Sequence, residues 1–411
     1  FSALGDRRGV LVGVTKTHLA PVYLAPTGPG SASWENRPPL TLICGDPGSG
    51  KTFLMQTMAL QAALDGTQVI LINPKGGDSL ADMTELIDGS EVVRMSQLAA
   101  QGGAFDPFRY ANPSVAAEIA YTYIADVLGP GLSPTQELAL GAGLKRGADA
   151  GARCVMDALR HVEDADVVTQ VVDQIRSSST FALGVGFVPQ DGFSNRNRLT
   201  LIEFDHSLNL PDPAKDPAAY TRAERIAIAA LRLVTRASVE ILVASGGGVL
   251  AMDEAWTFLS HPASLAAMQS LGREGRSLGV LPIFATQRIA DVLATGRDLE
   301  TYVSRVFCMA MRDPREATAA LTLCGLEPTE ARIKFLRQAG PRRAKPGSHG
   351  RPALAIHRDL SDAHAAIFIG PVPAHVSIAI STNPEDRRLR DAARTELARG
   401  SEAAPAVPPA P

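Results

Sequence analysis

Cysteine is scarce. The chain of 411 residues has four, at positions 44, 154, 308 and 324, with no CxxC pair. That excludes a disulfide framework and a zinc site, and leaves small buried hydrophobes of a reducing compartment. Long apolar runs are missing too. No stretch approaches the roughly 18–20 residues a membrane helix needs, so a spanning helix is excluded. Charge of one sign is absent: 40 Lys+Arg against 43 Asp+Glu leave −3. A surface built throughout to grip nucleic acid is thereby excluded, though a local basic patch is not. The eight histidines are scattered and make no metal pattern. There is no internal repeat. The chain opens at Phe1 without an initiator Met or signal pattern, so it is expected to be a piece of something longer.

What is present is a chain able to bury a large core, with 45% hydrophobic and 20% charged residues. Two short strand-like runs, Gly9 to Val14 and Ala20 to Leu24, precede a Gly/Ser/Pro linker. Leu40-Thr41-Leu42-Ile43-Cys44 has the pattern of a buried strand that stops at glycine. Apolar residues at helical spacing follow from Phe53 to Leu64, then Val69-Ile70-Leu71-Ile72, ended by Asn73-Pro74. Strand, helix, strand at that spacing is a βαβ unit, which predicts a parallel sheet. Beyond Phe108 the pattern turns helical. Ser133-Pro134-Thr135-Gln136 is a capping box with proline at the first helical position. Strand signals resume at Leu199 to Phe204, and a second capping box, Thr221 to Glu224, opens a long helix towards Ala244. Further strand-like runs are Val249–Met252, Val280–Ala285 and Val303–Ala310, with shorter ones in 353–380.

The expected organisation is an α/β fold with a mainly parallel sheet. Leading strands and a linker fill 1–37, and the core takes 38–110 and 187–380. An all-helical insertion occupies 111–186, and a frayed or disordered tail 381–411.

Chemistry concentrates in Gly45-Asp46-Pro47-Gly48-Ser49-Gly50-Lys51-Thr52, a complete GxxxxGK[ST] between a strand and a helix. The glycines let successive backbone N–H groups turn towards a phosphate chain, and the helix N-terminus adds its positive dipole end. Lys51 is expected to neutralise β and γ phosphates, and Thr52 to ligate Mg²⁺. The cofactors expected are therefore ATP and Mg²⁺. A second strand ending in acids should complete the site, and Val249 to Met252 followed by Asp253-Glu254 fits. Asp253 is expected in the metal shell, and Glu254 to orient and polarise the attacking water. About 200 residues separate Lys51 from Asp253, more than a minimal core needs; the helical insertion supplies most of the excess.

Gln287 follows the strand-like run ending Ala285-Thr286 and is placed to reach γ-phosphate and water, or simply to cap the next loop. In Gly272-Arg273-Glu274-Gly275-Arg276, two arginines three apart share a helix face. They are either a trans-acting cation on the departing phosphoryl group or a solvated face. Arg305, Arg312 and Arg315 are weaker alternatives. Gly246-Gly247-Gly248 reads as a flexible loop. A basic group from Arg332 to Arg351, with Phe335 its one aromatic, reads as an exposed loop.

In order, these motifs resemble the FtsK–HerA superfamily of ring-forming motor ATPases, and within it the conjugation or type IV secretion energisers of the VirB/TraC kind. The likeness rests on the leading strands and on Asn73-Pro74-Lys75-Gly76-Gly77. It rests also on Asp253-Glu254-Ala255-Trp256 and on Gly272–Ser277 followed by Thr286-Gln287. It spans roughly residues 5–380. Asn73 departs from it, standing where the family has an acid. The resemblance implies a RecA-like P-loop NTPase core that hydrolyses ATP as a homo-oligomer, often a hexamer. It implies work at the cytoplasmic face of the cell membrane with membrane-embedded secretion-channel proteins, and a further N-terminal domain. Arg276 best matches the family's trans arginine, with Arg273 second. A DNA-translocating motor is the alternative, and DNA binding is expected to be weak because the chain is near neutral.

Overall fold

Aliphatic runs buried on both faces belong in the middle of a covered parallel sheet. In a computed structural model of the chain, they form its centre. The structure describes residues 10–15, 20–24, 40–74, 80–84, 87–99, 102–128, 131–188, 197–204, 208–211, 215–255, 278–294, 303–338, 354–357 and 366–369.

The strands are β1 (Val10–Thr15), β2 (Pro21–Leu24), β3 (Leu40–Cys44), β4 (Val69–Asn73), β5 (Ser90–Arg94), β6 (Leu199–Glu203), β7 (Gly248–Met252), β8 (Val280–Thr286), β9 (Val303–Cys308), β10 (Leu354–His357) and β11 (Ala366–Ile369). They form one sheet in the order β2-β1-β11-β10-β9-β3-β8-β7-β4-β6-β5. From β9 to β5 every pairing is parallel. The other four strands extend β9 with antiparallel pairings. This is the mostly parallel α/β core expected from the βαβ pattern.

Alternate residues of one strand serve opposite cores. Val69 and Leu71 join Leu54, Met55 and Met58 of α1 (Lys51–Leu64) on one face. Ile70 and Ile72 pack on the other, in a cluster that includes Leu231, Val234 and Leu242 of α9 (Arg222–Ala244). The Thr221–Glu224 capping box forms as its sequence predicts.

Strand β5 escaped the sequence reading. Only Val93 in it is buried, and its Ser90, Glu91 and Arg94 suit the sheet edge that it occupies. A short α2 (Ala81–Thr84) lies before β5; between β5 and β6 the described residues hold no strand but the helices α3 (Met95–Ala99), α4 (Pro113–Leu128), α5 (Pro134–Asp149), α6 (Val155–Leu159), α7 (Ala165–Ser177) and α8 (Ser179–Ala182). The Ser133–Gln136 box caps α5.

Asp106 ties this helical stretch together. Its buried carboxylate accepts hydrogen bonds from the backbone N–H of Phe108 at 2.9 Å, Val155 at 2.8 Å and Gly186 at 2.7 Å. Burial pushes its pKa up to about 6, against those three donors and Arg109.

Gly246, Gly247 and Gly248, the last of which opens β7, are a packed turn rather than the flexible loop expected. Gly248 N–H donates to Gly279 O at 3.0 Å. A Cβ on Gly247 would lie 2.5 Å from that same oxygen, so close approach of two backbones explains the glycine there.

The four cysteines are buried and unbridged. Cys44 and Cys308 face each other in register across β3 and β9, and Cys308 Sγ lies 3.1 Å from Cys324 Sγ. Burial raises the Cys44 thiol well above its usual value, in keeping with a packing role.

A phosphate loop facing an acidic strand end

Strand β3 delivers the phosphate loop to the carboxyl edge of the sheet, and the neighbouring strands hold it there. Gly45 N–H donates to Thr286 O of β8 at 3.1 Å, and Asp46 N–H to Ala310 O, just past β9, at 2.8 Å. A Cβ on Gly45 would lie 2.7 Å from both Met309 Cβ and Ser49 Oγ, so only glycine fits between the loop and β9. Gly48 and Gly50 take φ of 75° and 101°, and α1 starts directly at Lys51.

Lys51 is 5% exposed, and its Nζ donates to Asp46 O at 3.0 Å. The ammonium thus lies across the loop's own concavity. Ser49 Oγ is buried without a hydrogen-bond partner among the described residues. An orphaned hydroxyl beside a buried lysine and a helix N-terminus fits a polyanion such as a nucleotide's phosphate chain.

The acidic pair stands opposite. β7 ends at Met252, and Asp253 N–H donates to Ile72 O at 3.1 Å. Thr52 Oγ1 donates to Asp253 Oδ2 at 2.8 Å, bringing the loop and the acid together. Asp253 is 8% exposed; burial raises its carboxyl pKa, the Thr52 bond opposes the rise, and the neighbouring Glu254 charge adds to it. Oxygen ligands of this kind suit Mg²⁺. Among the described residues no cluster of three or more His, Cys, Asp or Glu can hold a metal. Thr52 and Asp253 are the oxygen donors placed to hold such an ion beside a bound phosphate chain.

Glu254 is half-buried at φ 51°, and it is the one non-glycine at positive φ among the described residues. Its N–H donates to Asp253 Oδ1 at 2.9 Å, while Ala255 N–H donates to Ala285 O of β8 at 2.7 Å. These two bonds hold a conformation that costs roughly 1–3 kcal/mol and that clusters at functional sites.

Gln287, half-buried, follows β8 directly, and β8 lies between β3 and β7. In register, Thr286 is opposite Cys44 and Phe284 opposite Met252. The glutamine thus leaves the sheet between the phosphate loop and the acids. Arg273, Arg276, Trp256 and Lys75 to Gly77 lie outside the described residues.

Two features gain weight from the structure that the sequence does not give them. Glu203 ends β6 in register with Asn73, both buried, so an acid stands one strand over from the asparagine. Arg94, on β5, pairs with it at 3.7 Å. The other is Arg312, ranked weakly from sequence, whose N–H donates to Asp46 Oδ2 at 2.7 Å. Asp313-Pro314 marks the start of the next helix, Pro314–Leu323, but nothing along the chain marks the approach of Arg312 to Asp46.

No helix among the described residues is long and apolar enough to cross a membrane. No curated protein matches the chain. Among solved structures, it is similar to VirB4 of Thermoanaerobacter pseudethanolicus, at 17% identity and TM-score 0.65, over 91% of this chain and 99% of that one. The bacterial conjugative coupling protein TrwBdeltaN70 aligns at 13% identity and TM-score 0.45, covering 90% and 87%. The cytoplasmic domain of the Thermomonospora curvata type VII secretion ATPase EccC aligns at 14% and 0.38, covering 92% and 32%. Only the first of these reaches a fold-level likeness, and it agrees with a RecA-like P-loop core. The AAA-like domain profile matches residues 21–341, and the chain belongs to that family, of FtsK–HerA type.

Proposed function

We propose that the chain is an ATP-hydrolysing motor ATPase that energises a conjugative or type IV secretion machine. One observation carries the ATPase part of the reading: the Thr52–Asp253 hydrogen bond joins the phosphate loop to the acidic strand end, with Glu254 held in its unusual conformation beside them. The VirB4-like fold, and the family's general use of nucleotide with Mg²⁺, agree with it.

In this reading, Gly45 to Thr52 cradle the phosphates of ATP, and Lys51 neutralises the β and γ groups. Thr52 and Asp253 hold Mg²⁺, which when bound supplies charge neutralisation on the phosphate oxygens. Glu254 orients and polarises the attacking water, and Gln287 hydrogen-bonds water and γ-phosphate. Arg276, with Arg273 second, reaches the site of a neighbouring copy in a homo-oligomer, a hexamer being the expected form. The division into a core of 38–110 and 187–380 with a helical insertion at 111–186 belongs to the same proposal. So do placement at the cytoplasmic face of the membrane, membrane-embedded channel partners, and only weak contact with DNA.

ATP turnover of the full chain tests this. Turnover should require Mg²⁺, and Lys51→Ala should weaken nucleotide binding and abolish it. Turnover that survives Lys51→Ala would remove the site from the reaction.

A further inference from the structure

Arg312 is anchored on the phosphate loop twice over. Its backbone N–H donates to Asp46 Oδ2 at 2.7 Å, and its Nε lies 3.3 Å from the same oxygen. The side chain is nonetheless 83% exposed, and among the described residues its two Nη nitrogens have no partner. A guanidinium oriented at one end and open at the other is a binding group in waiting.

Its side of the sheet decides what it faces. β3 lies between β9 and β8. Thr52's partner Asp253 and Gln287 stand beyond the β8 flank, which marks the terminal-phosphate end of a bound nucleotide. Arg312 leaves from the opposite flank, past β9, where Asp46 N–H meets Ala310 O. The nucleoside is the end of a nucleotide farthest from its γ-phosphate, so one seated with the γ-phosphate towards Asp253 leaves the β9 side of the loop as the place for its nucleoside.

From this geometry we propose that Arg312 is a nucleotide-positioning residue acting in cis, its guanidinium lying against the nucleoside end. Asp46 is the residue that aims it. The chemistry fits, because guanidinium planes stack on purines and their N–H groups reach ribose oxygens. The pairing also offsets the Asp46 carboxylate, which otherwise would repel the polyphosphate. The inference rests on the nucleotide-binding reading above.

The test is calorimetric binding of ATP, ADP and inorganic tripolyphosphate to the full chain with Mg²⁺. The variant is the double substitution Asp46→Asn with Arg312→Ala, which removes the guanidinium without leaving an unpaired carboxylate. ATP and ADP should each bind about tenfold more weakly, while tripolyphosphate stays within about twofold. The KM for ATP should rise by the same factor, and Arg312→Lys should recover only part of the loss, since an ammonium does not stack. Unchanged ATP and ADP affinity would overturn the proposal. So would an equal loss for tripolyphosphate, which would make the pair a prop for the loop, or a loss for ATP without ADP, which would move Arg312 to the γ-phosphate. A wild-type chain that bound neither ATP nor tripolyphosphate would overturn the nucleotide reading along with it.

Discussion

Thr52 and Asp253 stand 201 residues apart, and the threonine hydroxyl donates to the aspartate at 2.8 Å. Neither residue is costly to place alone. One begins a helix and the other ends a strand two positions along the sheet. The bond between them fixes the gap in which a metal–phosphate complex would sit, and burial of Asp253 readies it for a cation by making its bare charge expensive. Asp253→Asn should therefore keep binding ATP in the absence of Mg²⁺, yet lose Mg²⁺ stimulation and fall about 100-fold in turnover, worth ~2.7 kcal/mol. A Mg²⁺ titration of turnover checks this. Retained stimulation would take Asp253 out of the metal shell.

Asp106 governs stability rather than chemistry. Asp106→Asn turns one of the two acceptor oxygens into an NH2 group, so at least one of the three N–H donors loses its acceptor and meets another donor. A loss of about 2–4 kcal/mol is expected from denaturant unfolding. The pH dependence has a definite sign. Its folded pKa, about 6, lies above the unchanged value of 3.8. The stability that the wild-type carboxyl contributes is thus full below about pH 3.8 and is lost as pH rises through about 6. The wild-type advantage over Asp106→Asn should shrink by about 1 kcal/mol between pH 5 and 7.5. An advantage that grew with pH would contradict the burial argument.

Much of this arrangement was legible because local chemistry and global position agree. The glycines and Lys51-Thr52 declare their turn, and the aliphatic runs of β3, β4, β7 and β8 declare a sheet covered on both sides. The capping boxes before α5 and α9 sit where their four-residue patterns place them. What was not legible has equally physical causes. β5 is an edge strand with little apolar signal. The glycines before β7 are needed by a backbone, that of Gly279, with no sequence mark to announce it. Arg312 and Glu203 acquire their neighbours only through strand order, which spacing along the chain does not specify.

Subunit contact is tested by mixing. If Arg276 completes a neighbouring site, Arg276→Ala and Glu254→Gln should each be inactive alone. Mixed rings should regain about a quarter of wild-type activity or less, because only some interfaces combine two intact halves. Steady-state turnover against mixing ratio reads this directly. Absence of rescue in rings proven to co-assemble would transfer the role to Arg273.

The most direct measurement is of Glu254→Gln, a change of one charge at the residue held at positive φ beside Asp253. Bound ATP and single-cycle turnover should be followed together in the full chain with Mg²⁺. The account predicts that ATP stays bound with near wild-type affinity while turnover falls at least about 100-fold, the loss expected when a water-orienting base is neutralised. Wild-type turnover in Glu254→Gln would contradict it.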